Sequence, residues 1–201
     1  VGAAIANIGN LTIIDSTIKD NLIRSTYNTR FQGTIHNEGL LTARRTIFMN
    51  NTALNGGEHP TDKGIDVKSL DTGSGNIYNL GGTLNITECI FINPQQGILY
   101  HDIANLGGTI ISLENNYWNG VNPNIYRNTN ANIQKYIILS AEPEYSALKI
   151  NESMNITAKF LSNTLQELKD IKLPFEKLNL TFKTKVNGEN IENTKKPINN
   201  T

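Results

Sequence analysis

Apolar residues recur in this chain at fixed distances from asparagine and glycine, four times over. The segments are IANIGNLTIIDSTIKDN from Ile5, IHNEGLLTARRTIFMNN from Ile35, GNIYNLGGTLNITECIFIN from Gly75 and IANLGGTIISLENNYWNG from Ile103. Aligned, they share columns. Ile5, Ile35, Ile77 and Ile103 come first, then Asn7, Asn37, Asn79 and Asn105, then Gly9, Gly39, Gly82 and Gly108. Leu11, Leu41, Leu84 and Ile110 follow, then Ile13, Ala43, Ile86 and Ser112. Ser16, Thr46, Cys89 and Asn115 form a small, mostly polar column, and Ile18, Phe48, Phe91 and Tyr117 close the apolar set.

Within each segment apolar and polar positions alternate, as in Leu84-Asn85-Ile86. That two-residue period is a strand with one buried face. The Asn-x-Gly ahead of it is turn chemistry. Each segment reads strand, turn, strand, turn, with no stripe long enough for a crossover helix. The asparagine columns are 30, 42 and 26 residues apart, a period typical of solenoids. The pattern predicts a parallel β-helix in which each segment is one rung, lying roughly 4.8 Å from the next. Like residues then stack, and an inward column stays apolar or small in every rung. Surplus residues leave the coil as loops, the longest being Thr52–Gly73.

The pattern stops near Ser140. Residues 1–139 hold 15 of the 16 glycines and all five arginines; residues 140–201 hold Gly188 alone and no arginine. A boundary is expected there, with a β-helix over 1–139 and a second domain over 140–201. In the second part Tyr136–Pro143, Met154–Phe160 and Leu178–Thr184 alternate as strands, and the polar tail from Asn187 reads as frayed.

Composition adds less. The 18 basic residues balance the 18 acidic ones, so no field draws the chain to nucleic acid or anionic lipid. Asparagine numbers 30, in keeping with many tight turns. The single cysteine, Cys89, excludes an internal disulfide. No signal peptide opens the sequence; Val1 falls within a segment, which reads as the truncated start of a longer chain. Sequons at Asn10, Asn50, Asn85, Asn151, Asn155, Asn179 and Asn199 permit N-glycosylation in a secreted setting.

The segment GNIYNLGGTLNITECIFIN, with Gly2-Ala3-Ala4-Ile5 and Phe48-Met49-Asn50-Asn51, resembles the rungs of right-handed parallel β-helix surface proteins. These include the adhesin-like proteins of methanogenic archaea and, more distantly, the polymorphic outer-membrane proteins of chlamydiae. Asn115-Asn116-Tyr117-Trp118-Asn119-Gly120 resembles the element closing the last rung in archaeal members. YIILSAEP, MNITAKF and LNLTFKT resemble early strands of a bacterial Ig-like domain of the invasin/intimin type, here too short for a full sandwich. The resemblance implies an all-β protein: a right-handed β-helix followed by a partial Ig-like β-sandwich. It further implies a cell-surface, extracellular location and partners that are glycans or surface proteins of another cell or matrix. It implies no nucleic acid, no cofactor, and a membrane link only through an anchor outside this segment.

Because many β-helices degrade polysaccharides, a catalytic alternative needs residues. Asp15, Arg45, Glu88 and Glu114 share a column, and Glu88 and Glu114 would then lie on adjacent rungs. That is near the ~5–5.5 Å carboxylate spacing of retaining glycosidases. The plain alternative is a solvated charge stripe, since no further acid, base or aromatic subsite converges there. His36, His59 and His101 lack metal-ligand spacing and read as surface or turn residues. His59, Asp62 and Asp66 lack the oxygen ladder of a calcium loop. Cys89 reads as a small core residue, and Tyr117 and Trp118 as a plug at the coil's end.

Overall fold

A computed structural model describes residues 4–24, 33–54, 74–92, 101–119, 123–126, 133–144, 155–174, 176, 178–186 and 189–197. Among these the chain is all-β, without an α-helix. The first segment forms β1 (Ile5–Asn7), β2 (Asn10–Ile14), β3 (Thr17–Lys19) and β4 (Leu22–Arg24). The second forms β5 (Ile35–Asn37), β6 (Leu40–Arg44), β7 (Ile47–Met49) and β8 (Thr52–Leu54). The third gives β9 (Ser74–Leu80), β10 (Thr83–Thr87) and β11 (Ile90–Ile92), and the fourth β12 (His101–Leu106), β13 (Thr109–Ser112) and β14 (Asn116–Trp118). Then come β15 (Ile125–Tyr126), β16 (Tyr136–Pro143), β17 (Ile156–Ser162), β18 (Asn179–Val186) and β19 (Glu189–Pro197).

Equivalent strands of successive segments pair in parallel. Sheet A runs β1-β5-β9-β12-β15, sheet B β2-β6-β10-β13, and sheet C β3-β7-β11-β14-β16-β17. In sheet A, Ile5, Ile35, Ile77, Ile103 and Ile125 stand opposite one another in turn. In sheet B, Leu11, Leu41, Leu84 and Ile110 do the same. These columns face a common interior and, with Phe48, Phe91 and Trp118, form its core. Neighbouring aromatic rings stack face to face: Phe48 on Phe91 at 4.9 Å between centroids, and Phe91 on Trp118 at 4.3 Å. Parallel pairing at constant register places like on like, so identical side chains fill identical space.

The fourth segment departs from the expected alignment by one residue. β13 bulges beside Leu84 and Asn85, so Asn85 faces Ser112 and the side chain of Ile111 stands out in solvent. An inserted residue in a strand shifts everything after it by one place. Hence Phe91 pairs with Trp118 rather than Tyr117, and Tyr117 stands opposite Ile90 on the outer face. Leu113, not Ser112, is the buried neighbour of the Ile86 column. Asn116, not Asn115, hydrogen-bonds to the backbone of Cys89.

The compositional boundary at 139/140 falls inside β16. Its first residues pair in parallel with β14, and its whole length pairs antiparallel with β17. Glycine disappears where tight corners end, not where the sheet ends. The tail expected to fray contains β19, which pairs antiparallel with β18.

A second core lies on the outer face of sheet C. Ile47, Ile90, Tyr117 and Ile137 are covered by Phe160, Leu168, Ile171, Leu173 and Leu178. Ile47-Phe48-Met49 and Ile90-Phe91-Ile92 are apolar on both sides, the signature of a strand buried on both faces. The first segment lacks it: Thr17 and Lys19 flank Ile18 and are exposed. The outer face of sheet A is closed too. His36, expected at the surface, is 5% exposed, and its ring lies on that of buried Tyr78.

Candidate functional site

The asparagine column is a buried hydrogen-bond ladder. Asn7 Nδ2 donates to Asn37 Oδ1 at 2.6 Å, Asn37 Nδ2 to Asn79 Oδ1 at 2.6 Å, and Asn79 Nδ2 to Asn105 Oδ1 at 2.7 Å. The same amides donate to the turn carbonyls of Leu40, Gly39, Gly82 and Gly108. At Gly82 and Gly108 glycine follows because the ladder occupies the place of a side chain, and at Gly39 because the backbone of Gly9 does. A Cβ on Gly82 would stand 2.7 Å from Asn79 Oδ1, and one on Gly108 2.7 Å from Asn105 Oδ1. The residues that need a left-handed backbone are the extra ones, Gly81 and Gly107.

A second ladder escaped the sequence reading. Asn21 Nδ2 donates to Asn51 Oδ1 at 2.8 Å, Asn51 to Asn76 at 2.8 Å and Asn76 to Asp102 at 2.9 Å. Asn21 and Asn51 follow their β3 and β7 strands, whereas Asn76 and Asp102 stand just ahead of the isoleucine column. Aligning segment with segment therefore hides it.

At the corner between sheets B and C, Asp15, Arg45, Glu88 and Asn115 all adopt left-handed backbone, with φ of 51°, 47°, 55° and 59°. Asn115, not Glu114, is the fourth corner residue, because of the bulge in β13. Glu88 and Glu114 thus do not occupy equivalent positions. Glu88 is nearly buried and accepts two hydrogen bonds from Arg44, at 2.9 and 3.1 Å. Arg45 grips Asp15 in the same forked way, at 2.6 and 2.8 Å. Both pairs tie one segment to the next. A carboxylate so held, with Arg44 raised above its ordinary pKa chiefly by the Glu88 hydrogen bonds, is arranged as a clasp.

Cys89 shows what its column does. Ser16 Oγ donates to the carbonyl of Ile14, Thr46 Oγ1 to that of Arg44, and Cys89 Sγ to that of Thr87 at 3.3 Å. Each group bonds two residues back and braces the corner. Burial pushes the Cys89 thiol up from 9.0 to about 12. A thiol reagent at pH 8 is expected to leave the native chain unlabelled and to label this free cysteine once urea unfolds it. Labelling of the native chain would contradict the burial. Below pH 9 both states hold the proton. Between about 9 and about 12 only the unfolded chain loses it, so this contribution to stability falls as pH rises through that window.

The remaining candidates are dispersed. His101 bonds through Nδ1 to Asn124 Oδ1 at 2.9 Å and tilts against Tyr126. His59, Asp62, Asp66, Asn151 and Asn199 lie outside the described residues, as does most of Thr52–Gly73. Among the described residues no group of three His, Cys, Asp or Glu is placed to hold a metal ion, and no helix is long and apolar enough to cross a membrane. Of the sequon asparagines, Asn10, Asn50 and Asn155 are exposed, Asn85 is half-buried in β10, and Asn179 begins β18.

What stays open is the outer face of sheet B. Asn10, Thr12, Ile14, Arg44, Thr109 and Ile111 are exposed there, and Leu40, Thr42, Thr83, Asn85 and Thr87 are half-buried. Thr12, Thr42, Asn85 and Ser112 form one continuous outward row of hydroxyls and amides. No family model, curated protein or solved structure matches the chain.

Proposed function

We propose that this chain is part of a cell-surface, adhesin-like protein built as a right-handed parallel β-helix. It works by binding, through the outer face of sheet B, to glycans or to proteins of another cell or matrix. The observation that carries the reading is the contrast among the three faces. From the second segment on, those of sheets A and C are buried, while that of sheet B is open and mostly polar, with Ile14 and Ile111 among its exposed residues. The register of sheets A, B and C supports the coil, and crossovers between parallel strands are right-handed in about 98% of cases. A row of small polar groups making weak contacts suits a repetitive partner, because linked sites gain avidity without any strong single contact. For residues 140–201 the Ig-like reading rests on the antiparallel pairs β16–β17 and β18–β19. The bond of β16 to β14 makes that hairpin the continuation of sheet C as well.

The test is binding to a glycan array and to cell surfaces, comparing the chain with Thr42→Lys and Asn85→Lys. Both substitutions sit in the outward row and leave the interior untouched. Loss of binding in both, with unchanged melting, is the expected result. Binding that survives both would move the site elsewhere, and binding to nothing would leave a scaffold.

A further inference from the structure

The outer face of sheet C is closed in part by residues 168–174, which belong to no strand. Leu168, Ile171 and Leu173 pack on Ile47, Ile90, Tyr117 and Ile137, while Lys169, Asp170 and Lys172 are exposed. Leu173 is the deepest of the three, at 3% exposed. These apolar contacts are the whole attachment. Among the described residues no hydrogen bond, from backbone or side chain, is made by residues 168–174. A segment held by few apolar contacts and no ladder is the first to open locally.

The chain just before it is fastened. Leu161 bridges to Glu167, the Ser162 N–H donates to the Gln166 carbonyl at 2.9 Å, and the Asn163 N–H donates to the Tyr136 carbonyl at 2.8 Å. Both parts are strained. Leu165 in the fastened turn and Asp170 beyond it hold left-handed backbone, with φ of 62° and 61°. That conformation is unfavourable for any residue with a Cβ. Leu165 is 68% exposed, so burial does not offset the strain there. Strain of this kind collects in segments that switch.

We propose that residues 168–174 are a strap that lifts while sheets A, B and C stay folded, alternately covering and baring the outer face of sheet C. Lifting exposes Ile47, Ile90 and Tyr117, which stand opposite one another as an apolar column. Phe160 stays in its ladder with β16 and keeps its edge contact with the Tyr117 ring. The inference rests on the pairing within sheet C and is independent of what sheet B binds.

The test compares a thiol placed beneath the strap with Cys89, which is buried in the interior and reports opening of the coil itself. In Ile137→Cys the introduced thiol is expected to react with a thiol reagent at pH 8 roughly 100-fold faster than Cys89 of the same molecule. Adding Leu173→Ala removes the deepest anchor and is expected to speed that reaction by roughly 30-fold, with Cys89 unchanged. Asp170→Gly relieves strain that only the closed strap bears, and is expected to slow it severalfold. Equal rates at the two thiols, or a Leu173→Ala that speeds both alike, would overturn the proposal, because the face would then open only with the coil. Should Ile137→Cys itself loosen the coil, Cys89 shows it by reacting early, and Ile47→Cys on the same face then supplies the comparison.

Discussion

Phe91→Ala is expected to cost about 3–5 kcal/mol of unfolding free energy, the largest single loss in the interior. Phe91 is the middle ring of three, 0% exposed, and its removal breaks both stacks at once. Aromatic pairs contribute about 0.5–1.5 kcal/mol each beyond area burial. The void cannot collapse easily, because the backbones above and below are held by parallel ladders on either side. A typical domain has only about 5–15 kcal/mol in hand, so the variant should be near the limit of cooperative folding. Trp118, the sole tryptophan and 1% exposed, reports on the same column in urea titrations followed by fluorescence. A loss below about 1 kcal/mol would mean that the stack is not the centre of the core.

Asn79→Ala is expected to cost about 2–4 kcal/mol, although it deletes a polar side chain. Asn79 accepts from Asn37 and donates to Asn105 and to the carbonyl of Gly82, all in buried surroundings. Truncation removes three hydrogen bonds at about 0.5–1.5 kcal/mol each, although the Asn37 amide keeps the Gly39 carbonyl and the Gly82 carbonyl keeps the Thr109 N–H. Asn10→Ala, at an exposed position in β2, should stay within about 0.5 kcal/mol of the parent. Because Asn37 and Asn79 share one bond, the double variant Asn37→Ala with Asn79→Ala should cost less than the sum. Equal effects at Asn10 and Asn79 in thermal melts would show that asparagine serves these turns only through backbone preference.

Much of the parallel register was legible in the sequence. The isoleucine, asparagine and leucine columns read from the segments are the residues that face one another in sheets A and B. The reason is physical: a column in a parallel stack has one environment, so its members converge in size and polarity. The register was lost where that logic has an exception. A bulge in β13 costs no apolar residue, since Ile111 simply points out. Tyr117 and Trp118 are both plausible members of an aromatic column, so the slip left no mark in composition. It also put Glu88 and Glu114 out of register with each other.

What the sequence by itself determined is repetition at constant register: which residues stack on which, and therefore an all-β chain with parallel sheets. What only the tertiary structure decided is which surfaces remain. Apolar residues on both sides of Phe48 and Phe91 mark the outer face of sheet C as covered but not by what, and the cover comes from far along the chain. Leu168, Ile171 and Leu173 close sheet C, and nothing in the spacing of the four segments points to them. The ladders belong to the same class, because a hydrogen bond between Asn51 and Asn76 depends on where two corners meet in space. The open row on sheet B is what is left once these long-range contacts have formed.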